Sequence, residues 1–133
     1  MPHRQSAHAK VAVQEARSTP YDCGVGPELV ELALKETFTG DMAGESTVRA
    51  LQVRHADGAA TMVSLQRFDG QLGSRRGTFV LQGSGVVEGG QVKATWFVVP
   101  GSGTGELAGL RGNGGFEGTF GQGSDATLDY GFE

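Results

Sequence analysis

The sequence predicts an all-β fold, a closed eight-stranded antiparallel β-barrel with an interior pocket. Three observations carry this expectation. Apolar and polar residues alternate with a period of two through successive short segments, as in strands that turn one face to a core and the other to water. Turn signals punctuate those segments, among them Asp57-Gly58, Asp69-Gly70 and Glu88-Gly89-Gly90. The last segment, Leu128-Asp129-Tyr130-Gly131-Phe132, would expose an aromatic sheet edge unless it paired with the first, and closure removes that edge.

Taken in order, residues 1–9 read as a flexible polar leader and residues 10–133 as a single barrel domain. Lys10 to Arg17 alternates as a first strand, with Val11, Val13 and Glu15 on one face. Ser18 to Pro27, punctuated twice by proline, reads as a loop. Glu28 to Thr39 tolerates a helix, but Leu32, Leu34, Glu36 and Phe38 alternate, and the Thr and Phe residues running into Gly40-Asp41 favour a strand. Gly40 to Glu45 then reads as a turn. A third strand spans Ser46 to His55, with Val48, Ala50, Gln52 and Arg54 sharing a face, and a fourth spans Ala60 to Phe68. Thr78 to Gly85 and Gln91 to Val99 supply the fifth and sixth. Glycine then recurs at every second to fourth position from Gly101 to Gly115. A phosphate loop would need a helix after such glycines, and none is signalled; a kinked bend between strands fits better. Strands around Leu107 to Thr119 and Ala126 to Glu133 complete eight.

Composition narrows the function classes. The net charge of −4 has no basic face within it, which argues against nucleic acid as a partner. One cysteine, Cys23, forms no internal disulfide and sits in the expected loop as an inert thiol. No run is long enough to span a bilayer and the N-terminus has no apolar signal segment, so the chain reads as soluble and cytoplasmic, without a membrane partner. No His/Cys/Asp/Glu spacing matches a metal site, and neither a metal nor an organic cofactor is expected. His3 and His8 fall in the leader, and His55 at a loop end.

Several stretches together resemble one group of proteins: Ser18-Thr19-Pro20-Tyr21-Asp22, Thr37-Phe38-Thr39-Gly40-Asp41, Gly77-Thr78-Phe79-Val80-Leu81-Gln82, Ala94-Thr95-Trp96, the run from Val98 to Gly112, and Leu128-Asp129-Tyr130. They are similar to a family of small, mostly uncharacterised bacterial proteins grouped with the allene-oxide-cyclase-like barrels, over nearly the whole chain after about residue 10. The glycine-rich run also resembles that of allene oxide cyclases and dirigent proteins. The resemblance implies an eight-stranded barrel with an apolar interior, often assembled as a homo-oligomer, in a group whose chemistry guides a reactive intermediate through cyclisation or coupling. The chain departs from the family pattern at Ala16, Ala50, Gln66 and Gly83, each smaller or less ionisable than the residue usual there. Inward-facing, they imply an enlarged pocket.

The candidate catalytic residue is Glu15. Alternation places it on the face of Val11 and Val13, where desolvation would raise its pKa and make it a general base; a wet position at the barrel mouth is the competing reading. Glu36 is similar, with Lys35 and the Gly40 turn arguing for a solvated site. Arg54 would pair an inward carboxylate or hold an anionic ligand, or else snorkel at the rim. Gln66 would orient a carbonyl by hydrogen bonding. Phe38, Phe79, Leu81, Trp96 and Tyr130 fall on inward faces, as core or as pocket lining. Glu106 reads as an acceptor for loop N–H groups. Two functions fit such a pocket: a cyclase or isomerase that orients a hydrophobic small molecule beside an inward carboxylate, and a non-catalytic carrier of such a molecule. A barrel packed solid, serving as a structural oligomer, is the third reading.

Overall fold

The computed structural model describes residues 4–119 and 122–133 and shows eight antiparallel strands closed into a barrel in chain order. They are β1 (Gln5–Asp22), β2 (Glu28–Gly40), β3 (Met42–Arg54), β4 (Ala60–Leu72), β5 (Arg75–Glu88), β6 (Gln91–Val98), β7 (Leu110–Thr119) and β8 (Gly123–Phe132), with one short 3-10 turn at Gly105–Leu107. Pairing of β1 with β8, from Gln5 opposite Tyr130 to Ala12 opposite Gly123, seals the cylinder. The closure expected from the aromatic last segment is therefore the observed one. Among the described residues no helix is long and apolar enough to cross a membrane.

Several boundaries differ from the sequence reading, each for an identifiable reason. From Gln5 onward the expected leader is sheet, because Ala7 and Ala9 alternate inward and are buried against β8. The loop expected from Ser18 is instead the continuation of β1 as far as Asp22. Pro20 is accommodated there because β1 beyond Ala12 pairs only with β2, so a missing N–H on its open side costs no ladder bond. The turn between β2 and β3 is confined to Gly40-Asp41, and Met42 is already fully buried in β3.

Asp57-Gly58 does turn the chain, with Gly58 at φ 89° and the Ala59 N–H donating to Asp57 Oδ1 at 2.9 Å. Asp69-Gly70 does not. It lies inside β4, where Gly70 faces Gly44 of β3, and a Cβ on either glycine would run into the backbone of the other strand. These glycines serve close strand approach; the actual turn comes at Gly73-Ser74.

The interior is divided lengthwise. At the end where β1 begins, Phe38, Met42, Phe68, Leu72, Phe79, Leu81, Trp96, Leu128 and Tyr130 form one buried cluster. Phe68 packs on Phe38 at 5.2 Å and on Phe79 at 5.1 Å between ring centroids. The glycine-rich bend plugs this end with Leu107, which is wholly buried. The bend is held to β5 by Thr104 N–H to the Thr78 carbonyl at 2.9 Å and by the Arg76 N–H donating to Glu106 Oε1 at 3.0 Å, the acceptor role read from sequence. Toward the other end Ala60, Val87 and Val92 form a smaller buried cluster, with Met62 and Phe116 packed against it.

Candidate functional site

The interior beyond the aromatic cluster holds a cavity of about 350 Å³, within the range of small-molecule sites. Its apolar wall includes Val11, Val13, Leu32, Leu34, Ala50 and Met62, with Trp96 and Phe116 packed together at 5.1 Å on one side. Its polar groups are few: Glu36, Gln66, Ser64, Ser18 and Arg54 among them.

The sequence-predicted carboxylate is not in it. Pairing of β1 with β2 slips between Val13, opposite Glu36, and Glu15, opposite Lys35. Gln14 is the extra residue of a β-bulge, which reverses the alternation. Glu15 is thereby turned outward and exposed, and Ala16 and Ser18 take the inward positions and line the cavity. The proposed role of Glu15 as interior base is corrected on this geometry.

Glu36 is the interior carboxyl. It follows Leu32 and Leu34 on the inward face of β2 and precedes Phe38, so it stands where the cavity meets the aromatic cluster. Gln66 Nε2 donates to Glu36 Oε1 at 2.9 Å and to Ser46 Oγ at 2.7 Å, and the Ser46 hydroxyl makes a longer bond to the same Oε1 at 3.4 Å. These bonds favour the charged form. Burial outweighs them and pushes the Glu36 carboxyl above its usual range. Both Gln66 N–H groups are spent on this cluster, so Gln66 positions Glu36 and does not donate to a guest. Glu36 Oε2 has no hydrogen-bond partner among the described residues and is not among the sealed, unpaired atoms, which leaves it open to the cavity.

Of the other sequence candidates, Arg54, Gln66 and Trp96 line the cavity. Phe38, Phe79, Leu81 and Tyr130 are buried in the packed half and do not. Tyr130 has its hydroxyl engaged, donating to Gln5 Oε1 at 2.7 Å. The Trp96 indole N–H donates to the Thr127 carbonyl at 3.0 Å, which fixes the ring against β8. Ser46, Ser64 and Phe116 were missed by the sequence reading. Glu36, the second carboxylate candidate, is interior and not solvated as Lys35 and the Gly40 turn suggest; its period-two face is that of Phe38.

A second concavity lies outside the barrel, between exposed Leu51, Val63, Leu65 and Phe97. Its ionic groups, Glu31 and Arg49, pair with each other at 2.9 Å and converge on nothing. The interior cavity is the better site because its polar groups are convergent and one is desolvated.

Residues 7–130 match the family model described as a protein of unknown function, DUF3224. The chain belongs to the DUF3224 family. It is also similar to a solved DUF3224 protein from Shewanella oneidensis MR-1, itself described as of unknown function. The identity is 30%, the TM-score 0.75, and the match covers 100% of this chain and 98% of that one. No curated protein matches the chain. In this DUF3224 barrel the cavity's own geometry is what bears on function.

Proposed function

We propose that the barrel binds a hydrophobic small molecule in its cavity and that Glu36 exchanges a proton with it, in an isomerisation or cyclisation. The observation that supports this most directly is a carboxyl with raised proton affinity, one oxygen held by Gln66 and Ser46, at the floor of an apolar pocket. A base shifted toward neutrality takes a proton from an activated carbon and returns it at another, leaving the net composition of the guest unchanged. The apolar wall supplies shape, and holding a reactive conformer lowers the barrier further. Trp96, Gln66 and Arg54 are the sequence candidates retained as site residues. The similarity of the glycine-rich run to allene oxide cyclases belongs to the same reading and suggests which reaction types to screen first.

Trp96 is the sole tryptophan and lines the cavity, so its fluorescence reports occupancy. Titration with hydrophobic ketones, phenols and polyenes is expected to give a saturable change with at least one class. Glu36→Gln should keep that binding and lose turnover. Turnover that survives Glu36→Gln would reject the acid–base role, and no saturable change with any class would reject the binding reading.

A further inference from the structure

Resting on the reading of the cavity as a small-molecule site, we infer that its guest is an amphipathic monocarboxylate, with the head held by Arg54 and the apolar body lying toward Trp96 and Glu36. The charges within the cavity lead to this. Arg54 lines it and is half-buried, yet its side chain has one partner, the neutral Gln52 Oε1 at 2.7 Å. The three ion pairs among the described residues, Lys10–Asp125, Arg49–Glu31 and Arg111–Glu133, all lie on the surface and leave Arg54 out.

The acidic residue nearest in register is Glu28, opposite Arg54 on β2, but it makes no ion pair with Arg54; its Oε2 lies 3.6 Å from Cys23 Sγ. Among the described residues the only carboxyl in the cavity lining is Glu36, eight residues along β2 from Glu28. The Arg54 guanidinium thus faces an apolar cavity without an ion-pair partner among the described residues. A partly desolvated guanidinium in that position gains most from a planar carboxylate, which it can hold through two parallel hydrogen bonds.

Gln52 holds the guanidinium from within β3. It is 1% exposed, and its Nε2 is a buried side-chain donor without a partner. The amide is kept in this orientation by its bond to Arg54, because the opposite orientation would set donor against donor. A buried orphan donor is costly, and it persists here beside the unmatched cation on the same inward face of β3.

Arg54 and Glu36 also lie far apart along the wall. Glu36 pairs with Ser46, eight residues before Arg54 on β3, which is roughly 26 Å of strand. The guest is therefore elongated, with its carboxylate and its reacting carbon at different ends.

The test compares decanoate with methyl decanoate and 1-decanol, below micelle-forming concentrations, using Trp96 fluorescence and calorimetry on the full chain near pH 7.5. The acid should bind roughly tenfold or more tightly than the ester and the alcohol. Arg54→Gln should remove that preference while leaving ester affinity unchanged, and Arg54→Lys should restore part of it. Equal affinity of acid and ester for the unaltered protein, a comparison that needs no variant, would overturn the inference and leave the hydrophobic site standing. An equal loss for acid and ester in Arg54→Gln would also overturn it. Binding of none of the three probes would overturn this inference and the reading of the cavity together.

Discussion

Replacing Ala50 with leucine is expected to stabilise the protein, although Ala50 is 3% exposed and an enlarged side chain at a buried position ordinarily costs stability. The exception follows from what Ala50 faces. It lies on the wall of a cavity of about 350 Å³, far more space than three added carbons require. Each buried methylene contributes about 0.8 kcal/mol, so the gain is at most about 2 kcal/mol, and less where the new atoms still touch water at the cavity mouth. Ala126 is the internal control. It is 1% exposed and belongs to the packed cluster, so Ala126→Leu should lose about 1–3 kcal/mol. Any rise in strand propensity from Ala to Leu is common to both and cancels in the comparison. Urea unfolding followed by circular dichroism reads both numbers. If Ala50→Leu lost as much as Ala126→Leu, the hollow half would be as tightly packed as the other and would have no room for a guest.

Glu36→Gln should change stability in a pH-dependent way. The folded-state pKa lies above the unfolded one, so the folded protein binds the proton more tightly, and native stability declines as pH rises from the unfolded value through the raised one. The glutamine variant has no such decline, and thermal melts between pH 4 and pH 8 should show it gaining on the unaltered protein as pH rises; a constant difference would contradict the desolvated state of Glu36. Phe68→Ala removes a fully buried ring that packs on two others and should cost about 3–5 kcal/mol in urea unfolding, whereas a loss below 1 kcal/mol would show that the aromatic cluster is not the main core.

Much of the barrel was legible because alternation is a local property. The inward sets Val48, Ala50, Gln52, Arg54 on β3 and Phe79, Leu81 on β5 could be read directly, as could the turns at Asp57-Gly58 and Gly89-Gly90. Other features depend on what lies across the sheet. Gly70 cannot be told from a turn glycine without knowing that Gly44 stands opposite it. Gln14 carries no sign in itself that it is the extra residue of a bulge, yet that irregularity inverts the inward positions of β1 from Glu15 to Pro20 and exchanges Glu15 for Ala16. Phe38, Phe79, Leu81 and Tyr130 face inward as read, but alternation says nothing about depth along the barrel, which decides whether an inward residue is core or lining.

Depth is what joins this fold to its proposed chemistry. An eight-stranded barrel has an interior of nearly fixed width, so the side chains at each level determine whether that level is filled. Here the filled levels carry Phe38, Phe68, Phe79 and Trp96, whereas in the hollow ones Ala16, Ser18, Ala50 and Ser64 interrupt the larger Leu32, Leu34 and Met62. Glu36 is placed at the transition, with Phe38 as its inward neighbour on β2, and Trp96 belongs to both the packed cluster and the cavity wall. The aromatic levels act as a dry floor against which a carboxyl is desolvated without being sealed, while Gln66 and Ser46 bind one of its oxygens and leave the other toward the cavity. The same step in side-chain size that makes room for a guest thus also raises the proton affinity of the group beside it, and a change that loosened the floor should weaken both together.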